Sequence, residues 1–147
     1  MNTVKSALAQ KGGALIHVRS GDMVYKALLQ MRDNRVRSVL VIDDEVLVGI
    51  VTQGDCAIKV LLPGLDAKET LVSQVMTRNP MTVKLDDPLE ACMGLMAEKG
   101  FRHLPVLDEG KVVGVISIGD VVKDIICDLQ QNVGDLMSYI MTDGPGG

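Results

Sequence analysis

The heptapeptide Gly49-Ile50-Val51-Thr52-Gln53-Gly54-Asp55 recurs as Gly114-Val115-Ile116-Ser117-Ile118-Gly119-Asp120, and the spacing, 114 − 49 = 65 residues, holds over most of the chain. A shift of 65 aligns the halves without a gap from Val18/Val83 to Leu61/Ile126, and Asp22/Asp87, Met31/Met96, Arg37/Arg102, Val41/Val106, Asp43/Asp108, Val48/Val113 and Gly54/Gly119 are identical pairs. Such self-similarity means two copies of one supersecondary unit. A unit of ~50 residues has too little core to stand alone. The copies must therefore pack on each other, and pseudo-twofold packing leaves two matching clefts.

Each copy reads as β-α-β-β-α. In the first, Ala14 to Val18 is a short strand, Asp22 opens a helix as cap or first-turn acid, and Val24, Ala27, Leu28 and Met31 form its apolar stripe. Ser38 to Ile42 is an apolar run suited to a strand buried on both faces, Asp43-Asp44-Glu45 is a turn and Val46 to Thr52 returns. Ala57, Ile58, Leu61 and Leu62 then mark a helix from Gly54, closed by Pro63-Gly64. In the second copy Met81-Thr82-Val83 is the first strand, and Asp87-Pro88 opens a helix with a buried stripe of Leu89, Cys92, Met93 and Met96, ended by Gly100. Leu104 to Leu107 and Val112 to Ser117 flank the turn Asp108-Glu109-Gly110, and a helix runs from Gly119. The expected organisation is an N-terminal helical segment at 1–13, repeats at 14–63 and 77–127, a surface linker at 64–76, and an extra C-terminal helix and tail at 128–147. Val122, Ile125, Leu129, Val133, Leu136 and Ile140 give that last segment an apolar stripe, which favours a homodimer contact over packing on its own subunit.

Composition narrows the function. A net charge of −4 and an aromatic content of 2% offer no sequence-independent pull on phosphate backbones and no platform for stacked bases, so nucleic acid is an improbable partner. No apolar run is long enough to span a membrane and no signal peptide opens the chain, which reads as cytoplasmic. Cys56, Cys92 and Cys127 lack CxxC spacing and read as small buried hydrophobes, and two histidines do not make a zinc site.

Two readings of the repeated turn stand side by side. Thr52-x-x-Asp55 and Ser117-x-x-Asp120 suit helix capping. They also suit a nucleotide, the carboxylate accepting from the ribose hydroxyls while the hydroxyl side chain and helix N-terminus face phosphate. Arg37 and Arg102 occupy matched places just before the middle strands, where a guanidinium can grip phosphate. His103 adds a hydrogen bond or a titrating charge beside Arg102, where the first repeat has Ser38. His17 reads as a half-buried strand residue, and Asp43, Asp44, Asp108 and Glu109 as solvated turn formers. No nucleophile–base constellation and neither glycine-rich phosphate-loop motif occurs, so an enzyme is not expected.

The turns GIVTQGD and GVISIGD, the passage FRHLPVLDEGKVVGVIS and the entry VMTRNPMTV together resemble a tandem cystathionine β-synthase (CBS) domain pair, a Bateman module, over about residues 14–127. The resemblance implies an α/β fold of two pseudo-symmetric repeats packed through their sheets, and a regulatory module whose clefts take adenosine-containing ligands: AMP, ADP, ATP, NAD(H) or S-adenosylmethionine. It implies a homodimer and, since no enzyme or channel accompanies the pair, a separate target protein. Carried across, Asp120 takes ribose, Ser117 phosphate or ribose, Met81, Thr82, Val83, Leu104 and Pro105 the adenine, and Arg102 with His103 the phosphate. The first-repeat set is Ile16, His17, Val18, Arg37, Ser38, Val39, Thr52 and Asp55, with Leu40 where the second repeat has Pro105. The other reading is a structural or interaction module with vestigial clefts that docks through its C-terminal helix.

Overall fold

The computed structural model describes residues 2–12 and 14–143, with side chains described to residue 131. The chain runs through α1 (Val4–Lys11), β1 (His17–Val18), α2 (Val24–Asn34), β2 (Ser38–Asp43), β3 (Val46–Thr52), α3 (Gln53–Cys56), α4 (Val72–Val75), β4 (Thr77–Arg78), β5 (Val83–Lys84), α5 (Leu89–Lys99), β6 (His103–Asp108), β7 (Lys111–Ser117) and α6 (Ile118–Asp143). One sheet has the order β1-β2-β3-β4 and the other β5-β6-β7; in each, the short first strand pairs parallel with the second and the hairpin is antiparallel. Strands β3 and β7 meet where the repeats pack. This is the α/β pair of pseudo-symmetric repeats that the duplication implies.

The repeats match in backbone detail. Both hairpins turn through two residues of positive φ, Asp44 (47°) and Glu45 (67°) against Glu109 (50°) and Gly110 (80°), the conformation whose twist suits a two-residue hairpin. Both hairpins slip register at the same place, between Val41 and Ile42 and between Val106 and Leu107. Helices α2 and α5 both end on a left-handed residue, Arg35 in one and Gly100 in the other.

Each repeat has its own core, and each core is completed by the segment that precedes the other repeat. Val4 and Ala7 of α1 are buried with Val83, Leu89, Leu104 and Ile116 of the second repeat. Val72 and Val75 of α4 are buried with Val24, Val39 and Val51 of the first. The hydrogen bonds follow the same exchange: Val4 N–H donates to Asp87 O and Lys5 N–H to Leu85 O, as Val72 N–H does to Asp22 O and Ser73 N–H to Ser20 O. Here the correspondence is 72 − 4 = 68 residues rather than 65, so these segments lie outside the main alignment.

Several expectations need correction. Residues 64–76 are not merely a surface linker, since Val72 and Val75 are 0% and 2% exposed. Strand β4 follows that segment and adds to the first sheet. Asp22 does not cap α2; Met23 is the N-cap, and the Asp22 carboxylate accepts from Arg19 N–H (2.8 Å) and pairs with Lys26 (3.3 Å), bracing the turn before the helix. The helix after the first turn becomes π-helical over Ala57–Leu61, and Ile58, Leu61 and Leu62 are 63%, 77% and 75% exposed. Met93 is exposed, because the core contact of α5 is met by Leu89, Cys92 and Met96. Cys127 is exposed, unlike Cys56 and Cys92. His17 is exposed too, because successive residues of β1 face opposite sides and Val18 takes the core side. Asp43 is more than a solvated turn former: it accepts from both the amide and the hydroxyl of Ser20, and these bonds hold its carboxyl below the usual range.

Among the described residues the C-terminal helix is not a separate element, because α6 runs unbroken from the second turn to Asp143. Its face at Val122, Ile126 and Leu129 is exposed while Ile125 packs on the core. Val133, Leu136 and Ile140 lie beyond the described side chains.

Candidate ligand-binding site

Strand pairing assembles the matched residues. His103 is directly opposite Ser117, and Ser38 opposite Thr52, in the registers of the two hairpins. The carbonyls of Arg102 and Arg37 accept the first amides after each turn, from Ile118 (2.9 Å) and Gln53 (3.0 Å). The sheet therefore delivers Arg102, His103, Ser117 and Asp120 to one end of the second repeat, and Arg37, Ser38, Thr52 and Asp55 to the same end of the first.

Both turns are capping boxes. Thr52 N–H donates to Asp55 Oδ2 and Asp55 N–H to Thr52 Oγ1, each at 3.0 Å. Ser117 N–H donates to Asp120 Oδ2 at 2.8 Å and Asp120 N–H to Ser117 Oγ at 3.1 Å. The capping role is thus real in both places and holds each carboxylate in a fixed orientation. Beyond it the turns differ. Asp55 pairs with Lys59 one helical turn on (3.5 Å), whereas Asp120 pairs with Lys11 from α1 (3.0 Å). Burial pushes the Asp120 carboxyl up, but the Ser117 amide and Lys11 outweigh it and the net shift is downward. His103 is held below its ordinary range of 6.5, first by burial and then by the positive charge of Lys11, with Arg102 and Arg37 adding to it and Asp120 opposing.

A cleft of about 460 Å³ opens between the repeats, lined by Ile16, Ser38 and Leu40 of the first, Val115 of the second, and Lys11 of α1. Ile16 and Ser38 reach this cleft; Thr52, Asp55, Arg37, Arg102, His103, Ser117 and Asp120 are not among its walls. Val18, Val39, Val83 and Leu104 are core residues, so a ligand beside them meets their backbone only. Pro105 is also buried, Met81 and His17 are exposed, and Thr82 is half-buried. The exchange of Leu40 for Pro105 has a backbone consequence: Leu40 N–H donates to the Ile16 carbonyl (3.3 Å). Proline has no N–H, so the counterpart carbonyl of Met81 receives no such bond.

Lys11 is the site residue that a 65-residue shift does not reveal. The second offset, in which Val4-x-x-Ala7-Leu8 matches Val72-x-x-Val75-Met76, marks the segment that carries it, but the counterpart of Lys11 there is Asn79, so the lysine itself has no sequence signal.

The model of the CBS domain matches residues 13–61 and 72–126. The chain belongs to the CBS-domain family. A solved CBS-domain structure is 43% identical, with a TM-score of 0.80 over 85% of this chain and 98% of that one. A putative signal-transduction protein with CBS domains from Burkholderia ambifaria is 40% identical, with a TM-score of 0.82 over 86% of this chain and 96% of that one. A CBS domain-containing protein of Arabidopsis thaliana is 36% identical over 130 residues, 88% of this chain, and this chain spans only 24% of its length. A CBS domain protein from Pyrobaculum aerophilum complexed with AMP, 20% identical, shares the fold with a TM-score of 0.72 over 81% of this chain and 89% of that one. CBS pairs are a known regulatory module, and this chain is one such pair. No helix among the described residues is long and apolar enough to cross a membrane.

Proposed function

We propose that this CBS pair is a non-catalytic, cytoplasmic sensor of adenosine nucleotides, binding AMP, ADP, ATP or NAD(H), and passing the binding on to a separate target protein. The observation that carries the reading is the second turn: a carboxylate, oriented by the Ser117 amide and held below its ordinary range, stands near half-buried His103, on which the charges of Arg37 and Arg102 also act. An ionised carboxylate is the acceptor that a ribose diol needs, and guanidinium groups suit phosphate. The open Met81 carbonyl adds an acceptor for an adenine amino group in the second repeat. The AMP complex of the Pyrobaculum aerophilum protein makes AMP the first ligand to try.

The test is calorimetry with AMP, ATP, NADH and S-adenosylmethionine; no heat from any of them at sub-millimolar concentration refutes the reading. Asp120→Ala should weaken the bound ligand roughly 10- to 150-fold, since hydrogen bonds to a charged acceptor contribute about 1.5–3 kcal/mol. Unchanged affinity in a variant with native circular dichroism returns Asp120 to capping alone.

The exposed apolar residues support a second feature, a homodimer. Leu61 and Ile126 are counterparts at the 65-residue spacing, 77% and 47% exposed on the helices that follow the two turns. An apolar face repeated by pseudo-symmetry suits an isologous contact between two copies.

A further inference from the structure

Lys11 lies outside the residues matched by the family model, yet it reaches the carboxylate on which the proposed ligand depends. Its ammonium donates to Asp120 Oδ2 and to the Val115 carbonyl, both at 3.0 Å. The Ser117 amide also donates to Oδ2, at 2.8 Å. Two donors on one carboxylate oxygen use both of its lone pairs, while Oδ1 has no hydrogen-bonded partner among the described contacts. A ribose diol that grips both oxygens of Asp120 must therefore remove one donor from Oδ2. The amide cannot leave without undoing the cap of α6, so the lysine must.

We propose that Lys11 is a built-in occupant of the Asp120 carboxylate that exchanges partners when a nucleotide binds, the ribose taking Asp120 and the freed ammonium taking the ligand's phosphate. This rests on the adenosine-nucleotide reading above and adds a selectivity to it. A neutral nucleoside strips Lys11 of its counter-charge and returns none. A nucleotide brings a replacement anion to the surroundings of His103, on which the three cations Lys11, Arg37 and Arg102 act against one carboxylate, Asp120, among the described residues, within a chain of net charge −4. Neither arginine has a carboxylate within 4.0 Å among the described residues, so both guanidinium groups are left without an ion-pair partner that a phosphate would have to displace. The lysine thereby selects phosphorylated over unphosphorylated ligands. Because it is the last residue of α1, its change of partner is also felt by the helix that completes the second core.

The experiment compares AMP with adenosine by calorimetry on the full chain carrying Asp55→Asn, which keeps an acceptor for the first cap and confines diol binding to the second turn. With Lys11 present, AMP should bind at least about 10-fold more tightly than adenosine, the worth of one charge-assisted hydrogen bond. Lys11→Met should bind adenosine more tightly and AMP more weakly, so that the ratio falls by about 10-fold. Lys11→Arg should keep the preference. If Lys11→Met moves both ligands by the same factor, Lys11 is a structural tether or a bare plug and the exchange is wrong. If the parent binds AMP but its preference survives Lys11→Met, the exchange fails while the nucleotide reading stands. If the parent binds neither ligand, the exchange fails, and the nucleotide reading fails with it only when ATP, NADH and S-adenosylmethionine also give no heat with the unsubstituted chain.

Discussion

The exchange of completing segments between repeats can be tested at two glycines that are counterparts in sequence and differ in what covers them. A Cβ built on Gly114 of β7 meets Leu8 Cδ1 of α1 at 2.8 Å, with no backbone atom among its nearest neighbours. One on Gly49 of β3 meets Met76 Sδ at 2.7 Å and also the Thr77 carbonyl oxygen at 2.9 Å. The end of a leucine can rotate aside, but the Thr77 carbonyl is fixed by the pairing of β4 with β3, where Thr77 opposes Ile50. Neither glycine has positive φ, so alanine is allowed in the backbone and gains about 0.4–1 kcal/mol by restricting the unfolded chain. Overpacking costs about 1–3 kcal/mol where neighbours cannot move. Gly49→Ala should therefore destabilise by about 1–2 kcal/mol net, and Gly114→Ala should stay within about 1 kcal/mol of the parent. At about 2–4 °C per kcal/mol for a chain of this size, Gly49→Ala lowers the melting temperature by roughly 2–8 °C. Scanning calorimetry on the ligand-free proteins reads both. Equal losses, or a larger loss for Gly114→Ala, would contradict the placement of α1 and β4 over the two sheets.

Two further outcomes are expected. Because the folded state holds His103 below its ordinary pKa of 6.5, the unfolded chain takes up a proton there first; this group's contribution is complete above about pH 6.5 and declines as the pH falls toward the lower folded value. His103→Gln should flatten that part of the stability profile measured by urea titration at pH 7.5, 6.5 and 5.5, and an unchanged slope would show that the half-buried imidazole, within the charges of Lys11, Arg37, Arg102 and Asp120, is not its source. Replacing the counterparts Leu61 and Ile126 together by lysine should turn a dimer into a monomer in sedimentation velocity without lowering the melting temperature of the subunit, since both side chains are exposed; a persistent dimer places the contact elsewhere.

Much of this architecture is written locally. A shift of 65 residues is enough to find two β-α-β-β-α units, because strand alternation, helix stripes and the turn residues at 43–45 and 108–110 act within a few residues of one another. The caps were legible for the same reason: Thr52 with Asp55, and Ser117 with Asp120, are three residues apart, and the hydrogen bonds they form span that interval. Opposing strands carry Arg102 and His103 to the second turn, so most of that constellation also follows from the repeat. Long-range packing decided the rest. Lys11 meets Asp120 across 109 residues, which no local spacing encodes, and α1 finds its core in the repeat farther along the chain. Apolar content alone could not say that Val72 is buried while Leu61 is exposed, because that depends on which element arrives to cover each face.

The repeated turn shows the division most plainly. Its chemistry, a hydroxyl and a carboxylate at a helix start, is a property of the sequence and is the same in both copies. Its state is not: Asp55 answers to a lysine on its own helix and Asp120 to one brought by the opening helix of the chain. The physical reason is that a cap is a contact over three residues, whereas the counter-charge that competes for the same carboxylate is chosen by tertiary packing.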